Sequence, residues 1–219
     1  MGFGYLFIGY FFMLFFPIDG IGVLPNLAAV GLAVMFVGLR KLSGYASDCK
    51  GFRYALYTII PYFAVAVAML GINIAEMSGE LSPALNTYFV KPLSLAADIL
   101  YGVYTVFLMV GIYKLARQVE LPKLASRSAV VMSLTVMFTL CQTISNIASF
   151  VTAQAPETVT VAVNFIGFAA FLLEYAAIFM GLAHIFTCYM HICLEGDEDM
   201  PYREDIFDKI IAFTKRNKK

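Results

Sequence analysis

The chain has no tryptophan, two histidines and four cysteines in 219 residues, and only 14% of it is charged. A soluble globular domain carries about 25% charged residues, so the usual water-facing coat is missing. Basic and acidic residues balance at fifteen each. No net positive field exists to hold nucleic acid, and no nucleic-acid partner is expected. The cysteines, Cys49, Cys141, Cys188 and Cys193, form no CxxC pair, and an oxidised framework is not indicated. H-E-x-x-H, G-x-S-x-G and P-loop patterns are absent, and with them the usual marks of zinc-protease, serine-hydrolase and nucleotide chemistry. No spacing implies a cofactor. No Lys or Arg precedes Arg40, and no small-residue cleavage pattern follows the first apolar run, so a cleaved signal peptide is not expected.

Apolar surface is what the chain has in quantity. Apolar residues make up 61% and aromatic residues 15%, and mean hydropathy is +0.80. A core of this size cannot hide that much oily surface from water, so the composition calls for a bilayer as solvent. Apolar runs occupy Phe3–Phe16, Ile21–Leu39, Phe52–Ile74, Leu93–Leu115 and Ser128–Val151, and a sixth extends from near Val159 to Glu195. Runs three to six meet the roughly 20 residues a spanning helix needs, and each must be helical because lipid offers no partner to a free amide. The expected fold is an all-α polytopic membrane bundle of six transmembrane segments over 1–194, followed by a cytoplasmic tail over 195–219.

The first pair leaves two arrangements open. Phe3–Phe16 gives roughly 21 Å of helix against a hydrocarbon core of about 30 Å. Pro17, Asp19, Gly20, Gly22 and Pro25 then interrupt the chain. Either both short segments span a thinned bilayer, or they form a re-entrant hairpin with its tip in protein. Both arrangements return the chain to its starting side.

Lys and Arg collect in cytoplasmic loops. Arg40, Lys41, Lys50 and Arg53 follow run two; Lys114, Arg117, Lys123 and Arg127 follow run four; six more lie after Pro201. Fourteen of the fifteen thus share one side, with Lys91 opposite, which places both termini in the cytoplasm. After Pro201, Ile206, Phe207, Ile210, Ile211 and Phe213 follow a helical stripe. An amphipathic helix is expected there, lying on the membrane or docking a cytoplasmic protein partner through residues 201–219. In the outer loop, 81–90 reads as a short interfacial helix or a plain connector.

Ionisable groups inside a spanning helix are costly and are functional candidates. Asp98 lies in run four and Glu174 in run six, neither with a basic neighbour in its own run. Gln142 and Asn146 share a face of run five at i, i+4, and Asn164 lies in the outer part of run six. With polar faces inward, Asp98, Gln142, Asn146, Asn164 and Glu174 form one outward-facing cavity suited to a small polar or cationic solute. The competing reading makes the amides interhelical glue and leaves the acids protonated. Run six ends in His184-x3-Cys188-x2-His191, which sets soft and imidazole ligands on one helical face. Two helical turns, about 10 Å, separate the histidines, which is long for a shared ion, and no metal is assigned. Ala64-x3-Ala68 and Ala177-x3-Gly181 mark expected helix contacts.

The stretch Phe16-Pro17-Ile18-Asp19-Gly20-Ile21-Gly22-Val23-Leu24-Pro25-Asn26, followed by Val37-Gly38-Leu39-Arg40-Lys41-Leu42, resembles the first hairpin of small, uncharacterised bacterial inner-membrane proteins. In that group an acidic residue commonly follows the Leu-Pro, where this chain has Asn26. The resemblance covers about forty residues; it implies a bacterial plasma membrane and transfers no functional residue. The six-helix layout with both ends inside is also similar to the substrate-capturing subunits of vitamin uptake transporters, an analogy of architecture only. Three functions follow as expectations: a solute-binding or transport protein, a non-catalytic scaffold or sensor with a docking tail, and a membrane enzyme using the His/Cys end of run six.

Overall fold

The computed structural model describes residues 2–15, 28–46, 48–78, 89–151 and 157–192. All six of their regular elements are helices: α1 (Gly2–Phe15), α2 (Ala28–Tyr45), α3 (Lys50–Met77), α4 (Lys91–Gln118), α5 (Pro122–Val151) and α6 (Glu157–His191). Five of them, α2 to α6, are long and apolar enough to cross a membrane, and α1 is a shorter apolar helix. Large apolar side chains such as Ile74, Leu140, Ile144, Val161, Phe165 and Phe168 stand exposed on their outer faces, as lipid-facing surface must. The chain is therefore a polytopic helix bundle built for a membrane. Residues 16–27, most of 81–90 and 195–219 lie outside the described residues.

Each helix packs on its neighbours in sequence, and α6 returns to α1. The result is a closed ring in chain order. Neighbours run antiparallel: Gly2 meets Gly38 and Leu42 while Gly9 meets Gly31 and Met35, and Gly4 meets Tyr189 while Tyr10 meets Gly181. One end of the ring therefore carries the start of α1, the links at 46–49 and 119–121, and the end of α6. That end also carries Arg40, Lys41, Lys50, Arg53, Lys114, Arg117, Lys123 and Arg127; Lys91 belongs to the opposite end.

The two links at the basic end are tight. Cys49 is buried between α2 and α3 and donates its thiol hydrogen to Gln118 Oε1 at 3.3 Å, tying this link to the end of α4. Burial pushes the Cys49 thiol above its ordinary range, against the pull of Lys114 and with a push from Asp48, so it stays a donor at neutral pH. Beyond α4, Glu120 turns left-handed at φ 56° and the Leu121 amide reaches back to the Ala116 carbonyl at 2.8 Å. This is the six-to-one closure that ends many helices. Pro122, which has no amide hydrogen to lose, starts α5 at once.

Glycine sets the spacing between helices. A Cβ at Gly9 would lie 2.6 Å from the Gly31 carbonyl oxygen, and one at Gly38 would lie 2.8 Å from that of Gly2. A Cβ at Gly51 would fall 2.7 Å from Gly111 Cα. Without hydrophobic drive between helices in lipid, such close backbone approach gives the van der Waals contact that holds them. Of the contacts expected from small residues, Ala177 and Gly181 are buried as the spacing implies, but Ala64 and Ala68 are exposed. On α3 the inward face is instead Phe52, Ala55, Ile59, Tyr62, Ala66 and Met69; the alanine pair falls between its positions and faces outward. Pro61 is also exposed, and α3 continues through it.

Gly9→Ala and Gly51→Ala are each expected to lower stability by about 2 kcal/mol, the scale of overpacking a filled site. Gly71→Ala, whose Cβ would meet nothing within 4 Å, is expected to be neutral or slightly stabilising. Unfolding curves of the purified protein in detergent test this; equal curves for Gly9→Ala and Gly71→Ala would show that the glycine contact does not set the spacing.

Candidate functional site

The ring is filled along its axis by tyrosine. Tyr10 of α1, Tyr62 of α3 and Tyr101 and Tyr104 of α4 are all buried. Their rings lie 6.4 Å (Tyr10–Tyr104), 6.3 Å (Tyr62–Tyr101) and 6.5 Å (Tyr62–Tyr104) apart, and Phe138 of α5 meets Tyr101 edge-on at 6.1 Å. These are the tilted and edge-to-face contacts that aromatic quadrupoles favour. The polar tips are mostly paired. Tyr10 Oη shares a hydrogen bond of 3.2 Å with Thr105 Oγ1, and Tyr104 Oη donates to Met35 Sδ of α2 at 3.6 Å. Tyr101 Oη is buried and makes no hydrogen bond of ordinary geometry, although the Thr105 hydroxyl is close enough to act on it.

The candidate residues sit against this tyrosine layer, toward the end opposite the basic loops. Asn146 Nδ2 of α5 donates to Asp98 Oδ2 of α4 at 3.3 Å. Asp98 and Glu174 both act electrostatically on the Tyr62 hydroxyl, and Glu174 also acts on that of Tyr101. The hydrogen bond sets Asn146 of α5 beside Asp98 of α4, and Glu174 of α6 acts on the same tyrosine, Tyr62, from across the ring. Their placement follows from helical spacing. On α6, Glu174 lies on the buried stripe Ala170, Ala177, Gly181 and His184, where two alanines leave room for a carboxylate. On α5, Gln142 and Asn146 extend the stripe Ser128, Val131, Thr135 and Phe138 by successive turns.

All four of these residues are half-buried, and the reason is architectural. The fully buried positions end at Met69 on α3, Ala97 on α4, Phe138 on α5 and Ala170 on α6. Beyond that level toward the end opposite the basic loops, no side chain described on these helices is fully buried. Full burial along these stripes is therefore confined to the basic end and the middle of the ring, and gives way to partial burial beyond. Asn164 does not join the group. It is exposed, because six residues before Ala170 is a large rotation off the stripe at 100° per residue.

At the basic end, His184 and Cys188 are buried and His191 is exposed. Ser128 Oγ lies 2.7 Å from His184 Nε2 and donates its single hydrogen to the Leu124 carbonyl at 3.1 Å. With the Ser128 hydrogen on the Leu124 carbonyl, Nε2 is the donor to Ser128 Oγ; Nδ1 is left buried without a partner. Cys188 Sγ lies 3.9 Å from Nε2, while His191 Nδ1 turns to the Thr187 carbonyl at 2.9 Å. His191 shares the helical face of His184 and Cys188 but is exposed as the last residue of α6, and no group of three possible metal ligands occurs among the described residues.

Sequence reasoning passed over the tyrosines. Tyr and Trp in membrane proteins gather at the interfaces, and Tyr10, Tyr62, Tyr101 and Tyr104 were legible as the exceptions only by their depth within the runs and by the i, i+3, i+4 spacing of Tyr101, Tyr104 and Thr105.

Ser128→Ala leaves buried His184 Nε2 with only the long 3.9 Å contact to Cys188 Sγ, and is expected to cost about 1–3 kcal/mol. Tyr101→Phe removes an orphaned hydroxyl and is expected to leave stability equal or higher. Unfolding in detergent compares the two; a Tyr101→Phe loss as large as that of Ser128→Ala would show that the hydroxyl is bonded. In comparisons with known proteins, no family model, curated protein or solved structure matches this chain.

Proposed function

We propose that this protein binds, and carries across a bacterial plasma membrane, a small polar solute bearing positive charge. The binding residues are Asp98, Asn146 and Glu174, with Gln142 one turn beyond. The observation that carries this reading is the hydrogen bond between Asn146 of α5 and Asp98 of α4, with Asp98 and Glu174 of α6 both within electrostatic range of the buried Tyr62 hydroxyl. No Lys, Arg or His occurs in α3 after Arg53, in α4 between Lys91 and Lys114, in α5 after Arg127 or in α6 before His184. The region is thus acidic in net composition, and the medium around it has no counter-charge to offer. Tyrosine faces below it add a surface that attracts cations. The orphaned Tyr101 hydroxyl is the kind of buried donor a ligand oxygen or water satisfies.

Under this reading the basic end is cytoplasmic by the distribution of Lys and Arg, and the opposite end of the ring faces outward. Glu174 and Asp98 then select for charge, and Asn146 fixes the orientation of the Asp98 carboxylate.

A screen of alkali and alkaline-earth cations, primary amines and quaternary ammonium compounds against the purified protein tests the proposal. A ligand at one hundred times its Kd stabilises by about 2.7 kcal/mol, which is roughly 5–10 °C in melting temperature for a chain of this size. Glu174→Gln and Asp98→Asn are expected to abolish that shift while melting near the parent without ligand, and Tyr101→Phe to weaken binding about tenfold. Absence of any response in the screen, or a shift that survives the double substitution, would remove the reading.

A further inference from the structure

The outer surface between α2 and α3 carries a groove that the solute site does not use. Leu32, Ala33 and Phe36 of α2 face Ile59, Ile60 and Phe63 of α3 across a cleft of about 250 Å³. Phe36 also belongs to a second cleft of about 540 Å³, which continues along α2 past Val37 to Arg40, Lys41, Gly44 and Tyr45. Phe36 lines both, so the two follow one another as a track along the outer face of α2. From Leu32 to Tyr45 it follows thirteen residues of helix, roughly 20 Å, close to half the thickness of a bilayer with its headgroups at about 40–45 Å.

The chemistry changes along the track in the sense a membrane lipid requires. Its deep half is lined by aliphatic and aromatic side chains alone. Its shallow half ends in two cations at the basic end of the ring. Lys41 is held in place, its Nζ 4.5 Å above the Tyr5 ring of α1, and no carboxylate pairs with Arg40 or Lys41 among the described residues. Space for a headgroup is present, since a Cβ built at Gly44 meets nothing within 4 Å. Tyr45 stands exposed beside it, at the level where amphipathic rings contact headgroups.

We propose that this track is a binding site for one anionic diacyl phospholipid, with an acyl chain against Ala33, Phe36 and Ile60 and the headgroup phosphate on Arg40 and Lys41. Zwitterionic lipid fills the same groove without the charge pairing and is held less tightly. The site is independent of the solute proposal, which concerns the inside of the ring.

The chain has no tryptophan, so a single introduced indole reports on one place. Phe36→Trp in vesicles of brominated phosphatidylglycerol and phosphatidylcholine is quenched by whichever lipid occupies the track. Two cations near the surface, each worth about 1 kcal/mol, favour the anionic lipid by up to about thirtyfold over the zwitterionic one. Arg40→Gln with Lys41→Gln is expected to bring this preference to about one, while Lys123→Gln with Arg127→Gln, on α5 at the same end, leaves it unchanged. A preference near one in the parent, or equal losses in the two double variants, would overturn the proposal. Should Phe36→Trp fail to fold, Val37→Trp, on the exposed wall of the same track, gives the same readout. Inorganic phosphate added to the parent is expected to change nothing; reversal of the preference by millimolar phosphate would make this a phosphate site and overturn the lipid assignment.

Discussion

Lipid hydrocarbon cannot hydrogen-bond, and this one property of the solvent dictates how the chain distributes its polar atoms. Backbone groups are consumed within helices. Hydroxyls on the helices turn back to their own carbonyls, as Ser133 does to Ala129, Thr135 to Val131 and Thr139 to Thr135. The remaining polar side chains must find one another across helices, and the ring gives them a common interior. Tyr10 with Thr105, Ser128 with His184 and Asn146 with Asp98 are three such bonds at three depths. The first crosses the ring from α1 to α4, and the other two join consecutive helices, α5 to α6 and α5 to α4, so satisfying the polar atoms also ties the helices to one another. This is why the two orphaned buried atoms, on Tyr101 and His184, stand out against an otherwise consistent pattern.

The ring is not uniform along its axis. Toward the basic end glycine brings α1 against α2 and α3 against α4, and the interior is filled by Phe3, Leu6, Phe52, Leu108 and Ile112. Toward the other end the inward positions become Asn73, Asp98, Gln142 and Asn146, and full burial stops. Polar side chains cannot interdigitate as closely as aliphatic ones without leaving groups unsatisfied. The change in composition along each stripe and the end of full burial are therefore one effect. α1 adds to the asymmetry, since fourteen residues give it only about 21 Å of length.

Much of the architecture was legible in the residues. Hydropathy located each helix, and the clustering of Lys and Arg anticipated that the links at 46–49 and 119–121 share one end with Gly2 and His191. Helices α3 to α6 run beyond their apolar runs because Lys50, Arg53, Gln118, Lys123 and Glu157 are compatible with helix at the membrane surface, where their long side chains reach water. The i, i+4 spacing of Gln142 and Asn146 put both on one stripe, and Asp98 and Glu174 gather near it. Asn164 was misplaced because depth was counted without rotation about the helix. The alanines of α3 misled for a related reason: small size permits close approach but does not choose a face, and bulky Tyr62 and Met69 had already claimed the inward one. The tyrosine layer was invisible to any rule that reads tyrosine as an interface residue.

The tyrosine layer also explains why acidic residues are tolerated where they sit. A carboxylate facing hydrocarbon would have to be neutral or absent. Asp98 and Glu174 are half-buried rather than set in a dry aliphatic core: both act on the Tyr62 hydroxyl, and an amide is bonded to Asp98. Phenylalanine in place of these tyrosines would fill almost the same volume but would withdraw the hydroxyl dipoles from the floor of the acidic region. The ring needs large side chains on its axis to close at the basic end, and it needs polar ones to carry charge at the other. Tyrosine satisfies both demands in one residue type, so closure below and acidity above are joined at Tyr62 and Tyr101.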